Sequence, residues 1–358
     1  MPTPRTPTPS AIPGPSRAGR PPPEFHIFVE PPLVSIVIPT KDRIALLRET
    51  IGSVCAQTHR HWEAIVVDDG STGQATQHVE LPSVDARIVS VRRADHRPES
   101  GAQVCRNVGT VLARGEFVLY LDSDDLLAPD CLRRRVAALL EHPELDFVVG
   151  QCTQFGHSPK DDDPLWAEWN PGQDDLDAFL GLGKIPWQTT GPLWRKAALA
   201  RVGPWDESLV HAGHDHELHV RALCRGLAYA KLPGTDYHWR RPRGDSLSSL
   251  EGFKAHHARG SMIAAFRAIL TAVVGNGKMT PVRRSALRRE AVKLAVLCRL
   301  HGGAADTAAE AIRAARGQGL LLAWEAREIL LALACWRLRL AGRIPAMAYL
   351  NRRHRFAA

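Results

Sequence analysis

Val118-Leu119-Tyr120-Leu121-Asp122-Ser123-Asp124-Asp125 is an apolar run that ends in three carboxylates within four positions. A short apolar run with polar flanks fits a strand buried on both faces. In a parallel α/β sheet, ligands sit beyond the carboxyl ends of strands, so this acid cluster marks a candidate site. A second strand repeats the design: Ala64-Ile65-Val66-Val67 runs into Asp68-Asp69-Gly70-Ser71-Thr72. If the two strands are neighbours, their carboxylates share one crevice and repel unless something neutralises them. A hard divalent cation does so, and Mg2+ or Mn2+ bridges carboxylates to phosphate oxygens. Simpler readings stand beside this one. Asp-Asp-Gly is a common turn, and Asp125 has a second reading as the cap of the helix containing Pro129.

Working outward, strands are predicted at 34–38, 64–67, 87–91, 117–121 and 147–149. Helical patterns lie between them. Ile44, Leu47, Ile51, Val54 and Cys55 share one face; so do Val104, Val108 and Val111, with Gly115 as a stop. Leu132, Val136, Leu139 and Leu140 form a third face behind Pro129. Strands alternating with helices predict a mostly parallel sheet covered on both sides. No GxGxxG follows the first strand and no GxxxxGK[ST] occurs, which argues against dinucleotide and P-loop enzymes.

Three regions follow from composition. Residues 1–32 are Pro-rich and read as a disordered leader without the apolar core of a signal peptide. Residues 33–250 form the α/β domain. Residues 251–358 are Ala-, Leu- and Arg-rich, with helices expected near 252–274, 281–300, 304–316 and 320–341. Residues 251–358 hold 19 Lys and Arg against 6 Asp and Glu, whereas the whole chain is only +8. The tail therefore expects an anionic neighbour. Its last helix either packs on its neighbours or lies in a membrane interface. Its arginines lack the aromatic interleaving of a nucleic-acid platform, so no nucleic acid is expected. No run of about 18 apolar residues occurs. Seven scattered cysteines without a CxxC pair point to a reducing compartment.

Four motifs in register carry a resemblance over about residues 33–250. They are Val34-Ser35-Ile36-Val37-Ile38-Pro39-Thr40-Lys41-Asp42-Arg43, Val66-Val67-Asp68-Asp69-Gly70-Ser71-Thr72, Arg106-Asn107-Val108-Gly109 and Leu121-Asp122-Ser123-Asp124-Asp125. Together they resemble the family 2 glycosyltransferases. The resemblance implies the GT-A nucleotide-diphospho-sugar transferase fold, Rossmann-like with a mostly parallel sheet, here with a C-terminal helical region. It implies inverting transfer from a nucleotide-diphospho-sugar, of UDP or dTDP type, to a hydroxyl of a saccharide or lipid-linked acceptor. Mg2+ or Mn2+ is the implied cofactor. Cell-envelope polysaccharide or glycolipid assembly is the implied setting, in the cytoplasm, with the basic helices at the inner face of the membrane.

Carried over by position, Pro39, Thr40 and Asp42 line the nucleotide pocket. Asp69 contacts the nucleoside with Asp68 beside it, and Arg106 lies near the nucleotide and diphosphate. Asp122, with Ser123 next to it, touches the ribose or a metal-bound water; Asp124 contacts the metal. Asp215 occupies the position of the catalytic base, with a helix-capping alternative, and Glu217 is the second candidate. His214 stands where the family usually has Glu; an imidazolium there lowers the Asp215 pKa and a neutral ring does not. His211, His214, His216 and His219 read as a His-rich loop rather than a metal site. Trp187, in the segment to Arg195, either stacks on a sugar or belongs to the core. Tyr237 to Ser248 resembles a loop over the diphosphate, with Pro242 where relatives have His. His238 is then the substitute metal ligand, and Arg240, Arg241 and Arg243 neutralise the leaving group. The departures at His214 and Pro242 leave one alternative, a non-catalytic sugar-nucleotide-binding or scaffold protein of the same fold.

Overall fold

The computed structural model describes residues 31–72, 83–160, 163–170, 172–210, 212–241, 256–300 and 305–335. Nearly all of the Pro-rich leader, His211 and the segment from Pro242 to Ser248 with Arg243 lie outside the described residues. The first half runs β1 (Val34–Thr40), α1 (Ile44–Cys55), β2 (Trp62–Asp68), β3 (Ile88–Arg92), α2 (Ala102–Leu112) and β4 (Phe117–Tyr120). Then come β5 (Leu126–Leu127), α3 (Cys131–Glu141), β6 (Phe147–Phe155), α4 (Asp175–Asp177), β7 (Pro192–Arg195), α5 (Lys196–Val202), α6 (His214–Cys224) and β8 (Tyr229–Arg240). Four helices follow: α7 (His256–Gly275), α8 (Pro281–Leu300), α9 (Ala305–Gly317) and α10 (Ala323–Cys335).

The strands form one sheet in the order β3-β2-β1-β4-β7-β6-β8-β5. β3, β2, β1 and β4 are mutually parallel, β6 and β8 are parallel, and β7 and β5 pair antiparallel with their neighbours. Every residue of β1, β2 and β4 is buried, which is why those stretches are mainly apolar; the buried Ser35 and Glu63 are paired, Ser35 Oγ donating to Glu63 at 2.7 Å. Alternation then sorts the side chains. Ile36 and Ile38 join Leu47, Ile51 and Val54 of α1 and Leu132, Val136 and Leu139 of α3 on one face. Val37, Val118 and Tyr120 join Cys105 and Val108 of α2 and Leu218 and Val220 of α6 on the other.

The C-terminal helices enlarge the second layer. Phe266 of α7, Val292 of α8, Ile312 of α9 and Ile329 of α10 belong to the same continuous core as α6. Each such side chain contributes about 1.5–3 kcal/mol of burial. Arg283 of α8 fastens this layer to the short helix α4 through Asp174 at 2.7 Å and Asp177 at 2.5 Å.

Several expectations are corrected. Val111 and Leu140 are exposed, at 82% and 56%, so the apolar faces of α2 and α3 are narrower than the pattern implied. Gly115 does not stop α2, which ends at Leu112. Gly115 is glycine because a Cβ there would stand 2.6 Å from the Leu33 carbonyl oxygen of the neighbouring chain segment. Asp125 caps no helix; the N-cap residue of α3 is Asp130. Tyr237 to Arg240 is not loop but the end of strand β8.

Candidate active site

Register brings the acidic tips together. Thr40 of β1 lies opposite Asp68 of β2, and Val37 lies opposite Tyr120 of β4. The Leu121 amide still donates to the Val37 carbonyl at 3.0 Å, so Asp122 to Asp125 leave the sheet beside Pro39 and Thr40. Around this edge the loops are tied. The Asp42 amide donates to Ser71 Oγ at 2.8 Å, and Asp42 Oδ1 accepts from the Thr72 amide at 2.8 Å. Asp42 holds φ at +52°, a left-handed conformation that this double clasp keeps in place. Asp68 accepts from the Ser71 amide at 3.0 Å, closing the turn after β2. Asp69 accepts from Arg93 Nε at 2.7 Å and from the Gly101 amide at 3.0 Å, which fixes the start of α2.

Each acid after β4 has its own partner. Asp122 accepts from Arg106 Nη2 at 2.6 Å. Ser123 is buried. Asp124 accepts from Arg43 Nη1 at 3.0 Å. Burial, reinforced by Asp122, pushes the Asp124 carboxyl above its usual range. Asp125 is fully buried, accepting from the Arg240 amide and from Thr190 Oγ1, both at 3.1 Å. Burial first, then Asp124 and Asp122, push the Asp125 carboxyl well up. Asp125 is therefore a structural acid that joins β8 and the segment before β7 to the loop.

Arg106 is the most exceptional group of the site. Its side chain is only 3% exposed, and its guanidinium lies 4.6 Å from the Trp205 ring centre. Asn107 positions that tryptophan, accepting from its amide at 2.9 Å and donating to its carbonyl at 3.0 Å. Arg106 Nε and Nη1 are buried without a hydrogen-bond partner. Buried donors are normally satisfied, so two unmet donors on one cation set Arg106 apart.

Asp215 lies in the first turn of α6, with Oδ1 accepting from the His216 amide at 2.8 Å and His214 Nδ1 at 3.8 Å. Burial opposes its ionisation, but His214, His219, His216 and that amide prevail and hold the carboxyl below its usual value. Burial, aided by Arg106, lowers the His214 pKa to about 4. Burial lowers that of His219 to about 3. Both rings are neutral at pH 7, so Asp215 has no imidazolium beside it from either. Glu217 is buried and fully engaged by Arg221 through two contacts of 2.8 Å. That pairing removes it from contention as a base.

The remaining candidates are each engaged by protein partners. Trp187 is 1% exposed and packs against Phe147, Phe179 and Tyr229, so it is core. Arg240 spends its guanidinium on the Asp124 carbonyl, the His157 carbonyl and Glu49. Three of its five N–H donors are engaged in this way, and the side chain braces the acidic loop. Arg241 donates to the Gln154 carbonyl at 3.3 Å. His238 Nδ1 meets Thr153 Oγ1 at 2.8 Å. Among the described residues, no three His, Cys, Asp or Glu side chains gather as a metal cage. Asp122 and Asp124 offer oxygen ligands of the kind a hard cation takes, and the Asp124 carboxyl is pushed up by burial first and by Asp122 second. Sequence reasoning gave no role to Arg43, Trp205 or Asn107, although Arg43 and Asn107 stand inside two of the quoted motifs.

Fold and site together define an α/β domain with an acidic site beyond the carboxyl ends of its parallel strands. Residues 35–202 match the model of glycosyl transferase family 2. TuaG of Bacillus subtilis (strain 168), named for teichuronic acid biosynthesis, is 37% identical over 112 residues, 31% of this chain and 43% of its own. The chain spans less than half the length of the first curated relatives it matches. S. aureus TarS 1–349 in complex with UDP-GlcNAc aligns with a TM-score of 0.62 at 19% identity, over 90% of this chain and 92% of that one. The mannosyltransferase PcManGT from Pyrobaculum calidifontis, in complex with GDP-Man and Mn2+, gives 0.50 at 19% identity, over 92% and 86%. Both likenesses establish the GT-A fold.

Proposed function

We propose that the chain is an inverting, metal-assisted glycosyltransferase that moves a sugar from a nucleotide-diphospho-sugar to a hydroxyl of a saccharide or lipid-linked acceptor in cell-envelope assembly. The observation that carries this reading is Arg106, a buried cation with two unmet donors that is paired with Asp122, two residues before Asp124. A site of that kind takes a ligand that is anionic and also bridges to acids through a cation, and a nucleoside diphosphate is such a ligand. Mg2+ or Mn2+ on Asp124, with Asp122 behind it, supplies neutralisation of the diphosphate charge when bound. Pro39, Thr40 and Asp42 border the nucleotide, and Asp68 and Asp69 hold the loops that form its wall. Arg106 donates to the diphosphate from Nε and Nη1. Asp215 accepts the proton of the attacking acceptor hydroxyl. His238, opposite Leu126 on the neighbouring strand and held by Thr153 through Nδ1, is the candidate second metal ligand. A UDP or dTDP donor is the reading supported by the resemblance and by the UDP-GlcNAc named for TarS.

The test is calorimetric titration with UDP-, dTDP- and GDP-sugars, with and without Mn2+, followed by a transfer assay. Asp215→Asn is expected to keep donor affinity within about threefold and to lose transfer by about 100-fold or more, in the range of a lost general base. A chain that ignores every nucleotide sugar with every ion refutes the reading. An Asp215→Asn variant with undiminished transfer moves the base elsewhere.

A further inference from the structure

Asp215 has a neighbour to which the transfer scheme gives no task. The Asp215 side chain is 35% exposed, and the His216 amide holds its Oδ1 at 2.8 Å. A carboxylate gripped at one oxygen still turns about its terminal torsion, which is broad. His214 Nδ1 lies 3.8 Å from that same Oδ1. This nitrogen is buried and has no hydrogen-bond partner, which is unusual for a buried polar atom.

The imidazole is kept in place from behind. Gly213, with φ at +81°, turns the chain so that His214 opens α6. The ring meets Trp205 edge to face, with centroids 5.9 Å apart. Trp205 packs in turn against Tyr120 at 5.0 Å, and the Tyr120 hydroxyl is hydrogen bonded to Thr110 Oγ1 at 2.8 Å. Swinging the imidazole away from Asp215 means giving up that aromatic contact. The tautomer follows from the same geometry. The ring is neutral at pH 7 and carries one N–H. A bare lone pair on Nδ1 is repelled by the carboxylate, and an N–H there is attracted, so the proton belongs on Nδ1. At 3.8 Å the contact is longer than a hydrogen bond. A shortening of about 0.8 Å completes it, the kind of tightening that active sites undergo when substrate binds.

We propose that His214 is the positioning residue of the base: its Nδ1–H donates to Asp215 Oδ1 in the donor-bound site and leaves Oδ2 turned to the acceptor hydroxyl. The inference rests on the reading of Asp215 as the base. It gives a task to a histidine at the position where the resemblance places Glu, which when ionised has no proton to donate. The titratable and charged groups acting on the pair are His216 and His219 of α6, Arg106 of α2 and Asp122 after β4. All four stay unchanged in the test.

Transfer kinetics over pH, donor titration and melting temperature are compared for wild type, His214→Asn, His214→Gln and His214→Ala, with whichever of the UDP-, dTDP- or GDP-sugars wild type turns over. Asparagine puts its amide nitrogen where the imidazole has Nδ1; glutamine puts its own farther out, near Nε2. His214→Ala and His214→Gln are expected to lower kcat by about 10–100-fold, the range for a lost hydrogen bond to a charged group, with donor affinity within about threefold. The acid limb of their kcat profile is expected to move up by about one pH unit, because the lost bond favoured the carboxylate form. His214→Asn is expected to recover most of kcat and to return the acid limb towards wild type. Nitrogen-15 spectra of the unliganded wild type at pH 7, with the His214 signals assigned by their loss in a folded variant at that position, are expected to show the Nδ1–H tautomer. An Nε2–H tautomer overturns the proposal. So does a folded His214→Ala with undiminished kcat, or a folded His214→Asn as slow as His214→Ala, which reduces the ring to packing. Wild type without transfer from any nucleotide sugar, or Asp215→Asn with undiminished transfer, instead refutes the reading of Asp215 and takes this inference down with it.

Discussion

Gly213 offers a quantitative test of whether the C-terminal helices set the geometry of the base. It precedes α6 with φ at +81°, and a Cβ built on it meets the Ala265 methyl of α7 at 2.7 Å. The adjacent Ala212 is clasped by Ser261 of α7, whose Oγ donates to the Ala212 carbonyl at 2.8 Å. Asp215 follows two residues later. Gly213→Ala therefore suffers twice. A left-handed alanine costs about 1 kcal/mol, and pushing apart two packed elements costs about 1–3 kcal/mol. The sum, about 2–4 kcal/mol, corresponds to a fall in Tm of about 4–8 °C for a unit of this size. Ala265→Gly removes the opposing methyl at a cost of its own of about 1 kcal/mol, the usual value inside a helix. The two changes should be non-additive, with the double variant recovering about 1–2 kcal/mol. Urea denaturation of wild type, both single variants and the double variant measures that coupling. In parallel, kcat should fall in Gly213→Ala and partly return in the double variant, with donor affinity nearly constant. Strict additivity to within about 0.5 kcal/mol, or an unchanged kcat, would falsify the idea that α7 holds Asp215 in place.

Two further predictions follow from the electrostatics. Asp125→Asn keeps both hydrogen-bonded positions and removes a charge that burial disfavours, so its Tm should equal or exceed that of wild type with transfer retained. Asp124→Asn, one residue away, gives up a part-exposed ion pair worth about 0–1 kcal/mol, so it should keep its Tm and lose transfer; the opposite pattern in this pair of variants rejects the division of labour. Acidification should destabilise the fold between about pH 6.5 and 4, because His214 and His219, lowered to about 4 and 3, refuse protons that the unfolded chain accepts. That contribution is complete above the unfolded histidine value of about 6.5. Asp125, raised by burial, acts in the opposite sense, so the urea midpoint is best followed in Asp125→Asn. His219→Gln should flatten the slope, and an identical slope in that variant removes His219 as its source.

The parts of the fold that sequence made legible are those where one local rule decides the outcome. β1, β2 and β4 are buried on both faces, so their apolar runs admit no other placement. β8 was hidden because it contains Lys231, Pro233, Gly234 and Asp236, a composition that reads as loop. Its polar residues are tolerated through long-range pairing: Asp236 is held by Arg135 of α3 at 2.7 and 2.9 Å with both side chains fully buried. The two-residue β5 exists only by pairing with β8, so it had no pattern to show. The site divides in the same way. The acids were visible as runs, but Arg43 reaches Asp124 across 81 residues and leaves no spacing signal. Trp187 could stack or be buried on equal terms in the sequence; only the packing of Phe147, Phe179 and Tyr229 around it decides for the core.

The charge run at the end of β4 acquires a different meaning once the partners are known. Two like charges about 4 Å apart interact by about 4 kcal/mol at an effective dielectric near 20, so three bare carboxylates in succession would be untenable. The chain resolves this with unequal means. Asp125 is turned inward, pays for its burial with two hydrogen bonds, and fixes the loop. Asp122 is answered by Arg106, which is so deeply placed that it keeps two donors in reserve. Asp124 is answered only by Arg43, with both side chains about one quarter exposed. A pair that open is weakly held, and it is the one that a stronger cation displaces at least expense. The order of commitment, from Asp125 through Asp122 to Asp124, therefore separates the residue that builds the loop from the residues left free to meet a ligand.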